Sequence, residues 1–120
     1  MFAITPTTRV FLRAGVTDMR LGFHGLFALS EGLLRQDPLS GHLFVFCNRR
    51  RTHLKILRWD GSGLCLYAKR LERGTFSWPG AQDEVVEFSS ARLAMLLEGI
   101  DLGVARQRRW YRRGAENIIK

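Results

Sequence analysis

HLFVFCNRRRTHLKILRWDGSGLCLYAKRLERGTFSWP, residues 42–79, decides the fold. Four short apolar runs stand in it, separated by turn-forming residues. Leu43 to Cys47 reads as a buried strand, because aromatic and β-branched residues bounded by breakers pack well on a pleated surface. His53 to Trp59 reads as a second strand, with Leu54 and Ile56 on one face and Lys55, Leu57 and Trp59 on the other. The five-residue link Asn48-Arg49-Arg50-Arg51-Thr52 has the length that joins antiparallel neighbours, which puts three arginines on one hairpin tip. Leu64 to Lys69 forms a third strand after Asp60-Gly61-Ser62-Gly63, whose residues tolerate the positive φ of a tight hairpin. Thr75 to Trp78, stopped by Pro79, is expected to be a fourth. The reading is an antiparallel meander.

Outside this stretch the pattern is mixed. Arg9 to Arg13 alternates as a strand. Thr17 is placed to cap a helix with Asp18 in its first turn, and Phe23, Leu26, Phe27, Ser30, Leu33 and Leu34 fall at helical spacing. Gly22, Gly25 and Gly32 interrupt it and are read as packing concessions, and Pro38 ends it near Gln36. Glu84 to Phe88 is a short edge strand. Ser89 or Ser90 caps a second helix carrying Leu93, Leu96, Leu97 and Ile100, closed by Gly99. The expected fold is α+β: a single domain over residues 1–103, an antiparallel sheet with both helices on one face, followed by a basic tail at 104–120.

Nineteen Lys and Arg against eleven Asp and Glu leave a net charge of +8 over 120 residues. Such an excess on a small domain favours polyanionic partners, and its arginine bias suits phosphate, which the guanidinium fork grips in bidentate fashion. The tail carries +5 of that charge, from Arg106, Arg108, Arg109, Arg112, Arg113 and Lys120 against Glu116. A block of like charge repels itself and is expected to stay mobile until a partner neutralises it. Trp110 and Tyr111 lie among these arginines, an arrangement that stacks on bases while the guanidiniums hold the backbone. The candidate nucleic-acid contacts are therefore Arg49, Arg50 and Arg51 at the tip, Lys69, Arg70 and Arg73 near the end of the third strand, and Arg106, Arg108, Arg109, Trp110, Arg112 and Arg113 in the tail. Alternation along the strands leaves open whether the second group shares a face with the tip.

Other chemistry is thinly supported. His24, His42 and His53 fit no metal-ligand spacing, and Cys47 and Cys65 lack the paired spacing of a zinc site, so both are expected to be buried free thiols, with a disulfide across paired strands as the second reading. No metal or cofactor is expected. Asp18, Asp60 and Asp101 stand where capping or turn chemistry explains them, which leaves no acidic triad for metal-dependent strand cleavage. Trp59 and Trp78 are read as sheet-packing anchors. No window is apolar for the ~18–20 residues that span a bilayer, and the N-terminus lacks a signal-peptide pattern, so a cytoplasmic protein without membrane contact is expected.

The segments TDMR at 17–20, GHLFVF with NRRR at 41–51, KILRWDGSGLCLYAKRLERGTFSWP at 55–79 and LLEGID at 96–101 resemble one protein family. It is the TnpB accessory-protein family, the second open reading frame product of insertion sequences in the IS sixty-six group. The resemblance runs from about Thr17 to Asp101 and implies a role in transposition of a bacterial element, though no chemical mechanism. The expected function is a non-catalytic accessory factor that binds DNA at element ends and assists a separate transposase. Two alternatives stand beside it: an adaptor docking on the transposase through the sheet or the leucine face of the second helix, and an RNA-binding regulator of element expression. The oligomeric state stays open.

Overall fold

The computed structural model describes residues 4–80 and 84–99. In chain order the elements are β1 (Val10–Arg13), α1 (Phe23–Gly32), β2 (Leu43–Cys47), β3 (His53–Trp59), β4 (Leu64–Arg70), β5 (Val85–Phe88) and α2 (Ser90–Leu97). The strands form one sheet in the order β4-β3-β2-β1-β5. β2, β3 and β4 make three strands of the expected four-strand meander, with Phe44 opposite Leu57 and Leu57 opposite Leu66. Asp60 closes the β3–β4 hairpin, its Oδ1 accepting from the N–H groups of Ser62 and Gly63 at 2.9 and 3.0 Å, while Gly61 takes a φ of 104°.

The sheet is not wholly antiparallel. β1 runs parallel to β2, with Val10 beside Leu43 and Leu12 beside Val45. A parallel neighbour needs a crossover, and residues 14–42, which include α1, supply it as a β-α-β unit. β5 returns antiparallel on the outer side of β1, as Val10 opposite Phe88 shows. That makes it the edge strand expected from the sequence.

The two helices lie on opposite faces, contrary to the single-face expectation. Val10, Leu12, Leu43, Val45, Leu54 and Ile56 pack with Leu93, Leu96 and Leu97 of α2, whereas Phe11, Phe44, Phe46 and Leu57 pack with Leu26 of α1. The cause is β2, which is buried at all five positions. A strand apolar on both sides exposes apolar surface unless both faces are covered. Each large side chain so removed from water stabilises the fold by about 1.5–3 kcal/mol.

Four local expectations are corrected. The fourth strand does not form: residues 71–80 lie over the α2 face of the sheet, where Phe76 is 2% exposed and Leu71 and Trp78 pack beside it. This segment must carry the chain from the β4 edge toward β1 and β5 on the far side, and the apolar side of the Phe76–Trp78 alternation is met by the core on the way. Likewise α1 starts at Phe23, not after Thr17. Thr17 is buried and its N–H donates to Cys47 O at 2.9 Å, which holds the chain against β2 for several residues before the helix begins. At the other end α1 stops at Gly32, short of Gln36. Arg35 adopts a left-handed φ of 58° and Gln36 N–H donates to Ser30 O at 3.0 Å, the wrap that closes a helix. A Cβ on Gly22 or Gly32 would meet no atom within 4 Å, so neither glycine is a packing concession, while one on Gly25 would meet the flexible Leu21 side chain.

α2 follows its sequence signals. The Ser89 side chain accepts from Arg92 N–H at 3.1 Å, and Gly99 takes a φ of 79° just beyond the helix.

Candidate nucleic-acid interface

The β2–β3 turn is built by Asn48. Its Oδ1 accepts from the N–H groups of Thr52 and His53 at 2.9 and 3.1 Å, so one amide satisfies two donors of the loop. Arg49 and Arg50 ride on this frame and are exposed. Arg51 turns inward. Its backbone has a φ of 61°, and its guanidinium donates to Asn48 O at 3.3 Å and Ala14 O at 3.2 Å while lying 5.6 Å from the centre of the Trp78 ring. The hairpin therefore presents two arginines to solvent and uses the third as a latch.

Register answers what alternation leaves open. His53 pairs with Arg70, which brings the end of β4 beside the tip. Leu71 N–H donates to Thr52 O at 2.9 Å and Phe76 N–H to Arg51 O at 2.7 Å, so the intervening loop with Arg73 is tied to the same turn at both ends. Arg49, Arg50, Arg70 and Arg73 thus share one end of the sheet, and all four are exposed. Among the described residues only Arg70 of these has an acidic partner, Glu72 at 3.4 Å, and that exposed pair holds little energy. Lys69 is separate from the group: its Nζ donates to Leu97 O at 2.6 Å, at the C-terminal end of α2. Arg106, Arg108, Arg109, Trp110, Arg112 and Arg113 lie outside the described residues, as does Asp101.

Two ion pairs that the sequence reading did not place here flank this end. Arg13 and Glu84 pair at 2.6 Å, and Arg20 and Asp18 at 2.8 Å. The hydrogen bond from the Arg20 side chain holds the Asp18 carboxyl down at about 2. A cleft of about 400 Å³ opens beside the tip, with His53, Lys55 and Ala68 in its lining. Only the β3–β4 register reveals it, since Ala68 lies on a different strand from His53 and Lys55.

The remaining candidates have structural employment. His42 Nδ1 accepts from Arg9 N–H at 3.0 Å. Trp78, packed beside the core, donates from Nε1 to Arg13 O at 3.0 Å. Cys47 is buried, and desolvation pushes its thiol up to about 11; Cys65, expected to be buried, is instead exposed on the edge strand, 3.4 Å from Asp60 Oδ2. The leucine face of α2 is buried in the core, so it is not free to dock on a partner. Exposed apolar surface occurs instead on α1, where Phe23 is 50% exposed and, with Phe27 and Leu64, lines a groove of about 270 Å³. Among the described residues no three His, Cys, Asp or Glu side chains converge as a metal site would require, and no helix is long and apolar enough to cross a membrane.

Comparison with known proteins bears on this geometry. No solved structure matches the chain. Two uncharacterized proteins of Sinorhizobium fredii (strain NBRC 101917 / NGR234) are similar to it: y4hO at 46% identity over 93 residues, covering 78% of this chain and 81% of its own, and y4jC at 37%, covering 78% and 80%. The family described as IS66 Orf2 like protein matches residues 8–107, a span that contains the whole sheet, both helices and the arginine-bearing end. On that match the chain belongs to the IS66 Orf2-like family, and it is an insertion-sequence-associated accessory protein.

Proposed function

We propose that this protein is a non-catalytic DNA-binding factor of transposition, which places the exposed arginines of one sheet end on the phosphates of an element end and so helps a separate transposase assemble there. The observation that carries the reading is the convergence of Arg49, Arg50, Arg70 and Arg73 from a turn, a strand end and a loop, with Glu72 the one carboxylate paired to them among the described residues. Guanidiniums left without acids seek phosphate. Arg51 and Lys69 support this surface from within. The tail arginines and Trp110, which lie outside the described residues, bring further positive charge and an aromatic ring to the same polymer.

Asp60 is committed to its own hairpin and Asp18 to Arg20.

Fluorescence anisotropy on duplex DNA across a salt series tests the reading. Each phosphate neutralised contributes about −0.9 to the slope of log K against log salt, so Arg49→Ala combined with Arg50→Ala flattens the slope by about 2. Unchanged affinity and slope in that variant would sink the hairpin assignment, and an equal or greater preference for RNA would favour the regulator reading. The exposed Phe23 favours a second reading, an adaptor that seats the transposase on the α1 groove. A transposase pull-down that survives nuclease treatment and is lost in Phe23→Ser would favour that one.

A further inference from the structure

The face of the sheet that carries α1 is left open at its outer corner. The cleft there, about 400 Å³, is lined by Met19, His53, Lys55, Ala68, Arg70 and Glu72 among others. Register explains its shape. His53 stands opposite Arg70 and Lys55 opposite Ala68, and the period of two places all four on one face. Three long nitrogen-bearing side chains therefore surround one exposed methyl group, and the missing bulk at Ala68 makes the floor. β4 is an edge strand, so the cleft is open at its side to an extended chain.

The polar groups are partly pre-set. Lys55 Nζ donates to Met19 O at 2.7 Å and Leu21 O at 3.0 Å, which fixes the ammonium and uses two of its three donors on neutral carbonyls. Asp18, whose carboxyl feels the Lys55 charge, is held by Arg20. His53 Nδ1 is 3.0 Å from Thr52 Oγ1 and 3.3 Å from Asn48 Nδ2, so the ring is anchored on the turn side. Glu72 meets Arg70 at 3.4 Å in an exposed pair that a stronger ligand displaces at little cost.

A lone phosphate would fill a small part of this space, while a nucleotide matches both its size and its mix of cationic, flat and apolar lining. A base stacked inside a duplex has no access to the floor. We infer that the cleft receives one unpaired nucleotide of a single-stranded or frayed DNA segment, its phosphate on Lys55 and its base over Ala68 between the imidazole of His53 and the guanidinium of Arg70. The inference rests on the DNA-binding reading above and adds to it a strand-separated ligand beside the duplex-facing arginines. Stacking on flat side chains and hydrogen bonds to an exposed base edge are the contacts by which unpaired strands are held.

The test is anisotropy of the full chain with a labelled single-stranded oligonucleotide and with the duplex of the same sequence, comparing Ala68→Leu with the parent. A leucine suits an exposed strand position and fills the floor. Loss of a stacking contact predicts a drop of about 10-fold for the single strand, with duplex affinity held within about twofold. Should Ala68→Leu fail to fold, Ala68→Gln is read in the same way. A deoxynucleoside monophosphate is expected to compete for the single strand where inorganic phosphate at equal concentration does not. Single-strand affinity unchanged by either substitution, an equal fall for both DNA forms, or equal competition by inorganic phosphate would each overturn the inference while duplex binding through Arg49 and Arg50 stood. Failure of the parent to bind any DNA would remove both readings together.

Discussion

The Arg51 guanidinium lies 5.6 Å from the centre of the Trp78 ring, and the indole Nε1 donates in turn to Arg13 O at 3.0 Å. These contacts tie the β2–β3 turn, the 71–80 segment and the end of β1 into one unit. An arginine that lies among other arginines in the sequence is thus a structural clamp. Replacing it by alanine removes two hydrogen bonds to backbone carbonyls and a cation–π contact, for a loss of about 1–3 kcal/mol. Arg49→Ala and Arg50→Ala stay within about 0.5 kcal/mol of the parent, as surface changes do. Urea denaturation of the three variants separates the latch from the exposed pair.

Lys69 closes the end of α2 by donating to Leu97 O at 2.6 Å. A cation at a helix C-terminus is favoured by the dipole as well as by the hydrogen bond. Lys69→Met keeps the aliphatic stem and loses both, so stability falls by about 1 kcal/mol. The salt slope of DNA binding stays as in the parent. A slope flattened by about 1 would mean that this amine reaches phosphate instead.

Asp60 is held down from 3.8 to about 2, chiefly by the backbone N–H of Ser62 and then that of Gly63. A carboxylate lowered in the folded state stabilises fully above its unfolded value and loses that contribution as pH falls through the folded one. Asp60→Ala therefore melts below the parent at neutral pH, and the gap between them narrows as pH drops from about 4 toward 2. Thermal melts at half-unit steps over that range check this. A constant gap would mean that the hairpin does not depend on the ionised carboxylate.

The two thiols differ in reach. Burial pushes Cys47 up to about 11, while Cys65, raised by its hydrogen bond to Asp60, stays exposed. A disulfide reagent at pH 8 is expected to modify Cys65 alone in the native protein, and both thiols after unfolding in guanidinium. Cys65→Ser then leaves a native protein that does not react within the same period.

Local signals are legible where one segment settles its own conformation. Leu43–Cys47, His53–Trp59, the Asp60–Gly63 hairpin and the Ser89 cap need no distant partner. Thr75–Trp78 and Thr17 depart from their local patterns for a shared reason. Each has good local chemistry, alternation in one and capping in the other, yet each is drawn into a long-range contact instead. Phe76 joins the core on the α2 face, and Thr17 N–H bonds to Cys47 O. Facing of the helices is also written in the chain. Five consecutive buried residues in β2 demand cover on both sides, a demand that a meander with helices on one face leaves unmet.

The amino-acid sequence by itself determined three strands of the meander, the second helix, the surplus of arginine and the family resemblance, because each depends on neighbours in the chain or on composition. Tertiary structure alone decided which arginines point to solvent and which brace the fold, and that Arg49, Arg50, Arg70 and Arg73 share one end of the sheet. The physical reason is register. Pairing His53 with Arg70 is a property of two strands together, and no periodicity within either one specifies it.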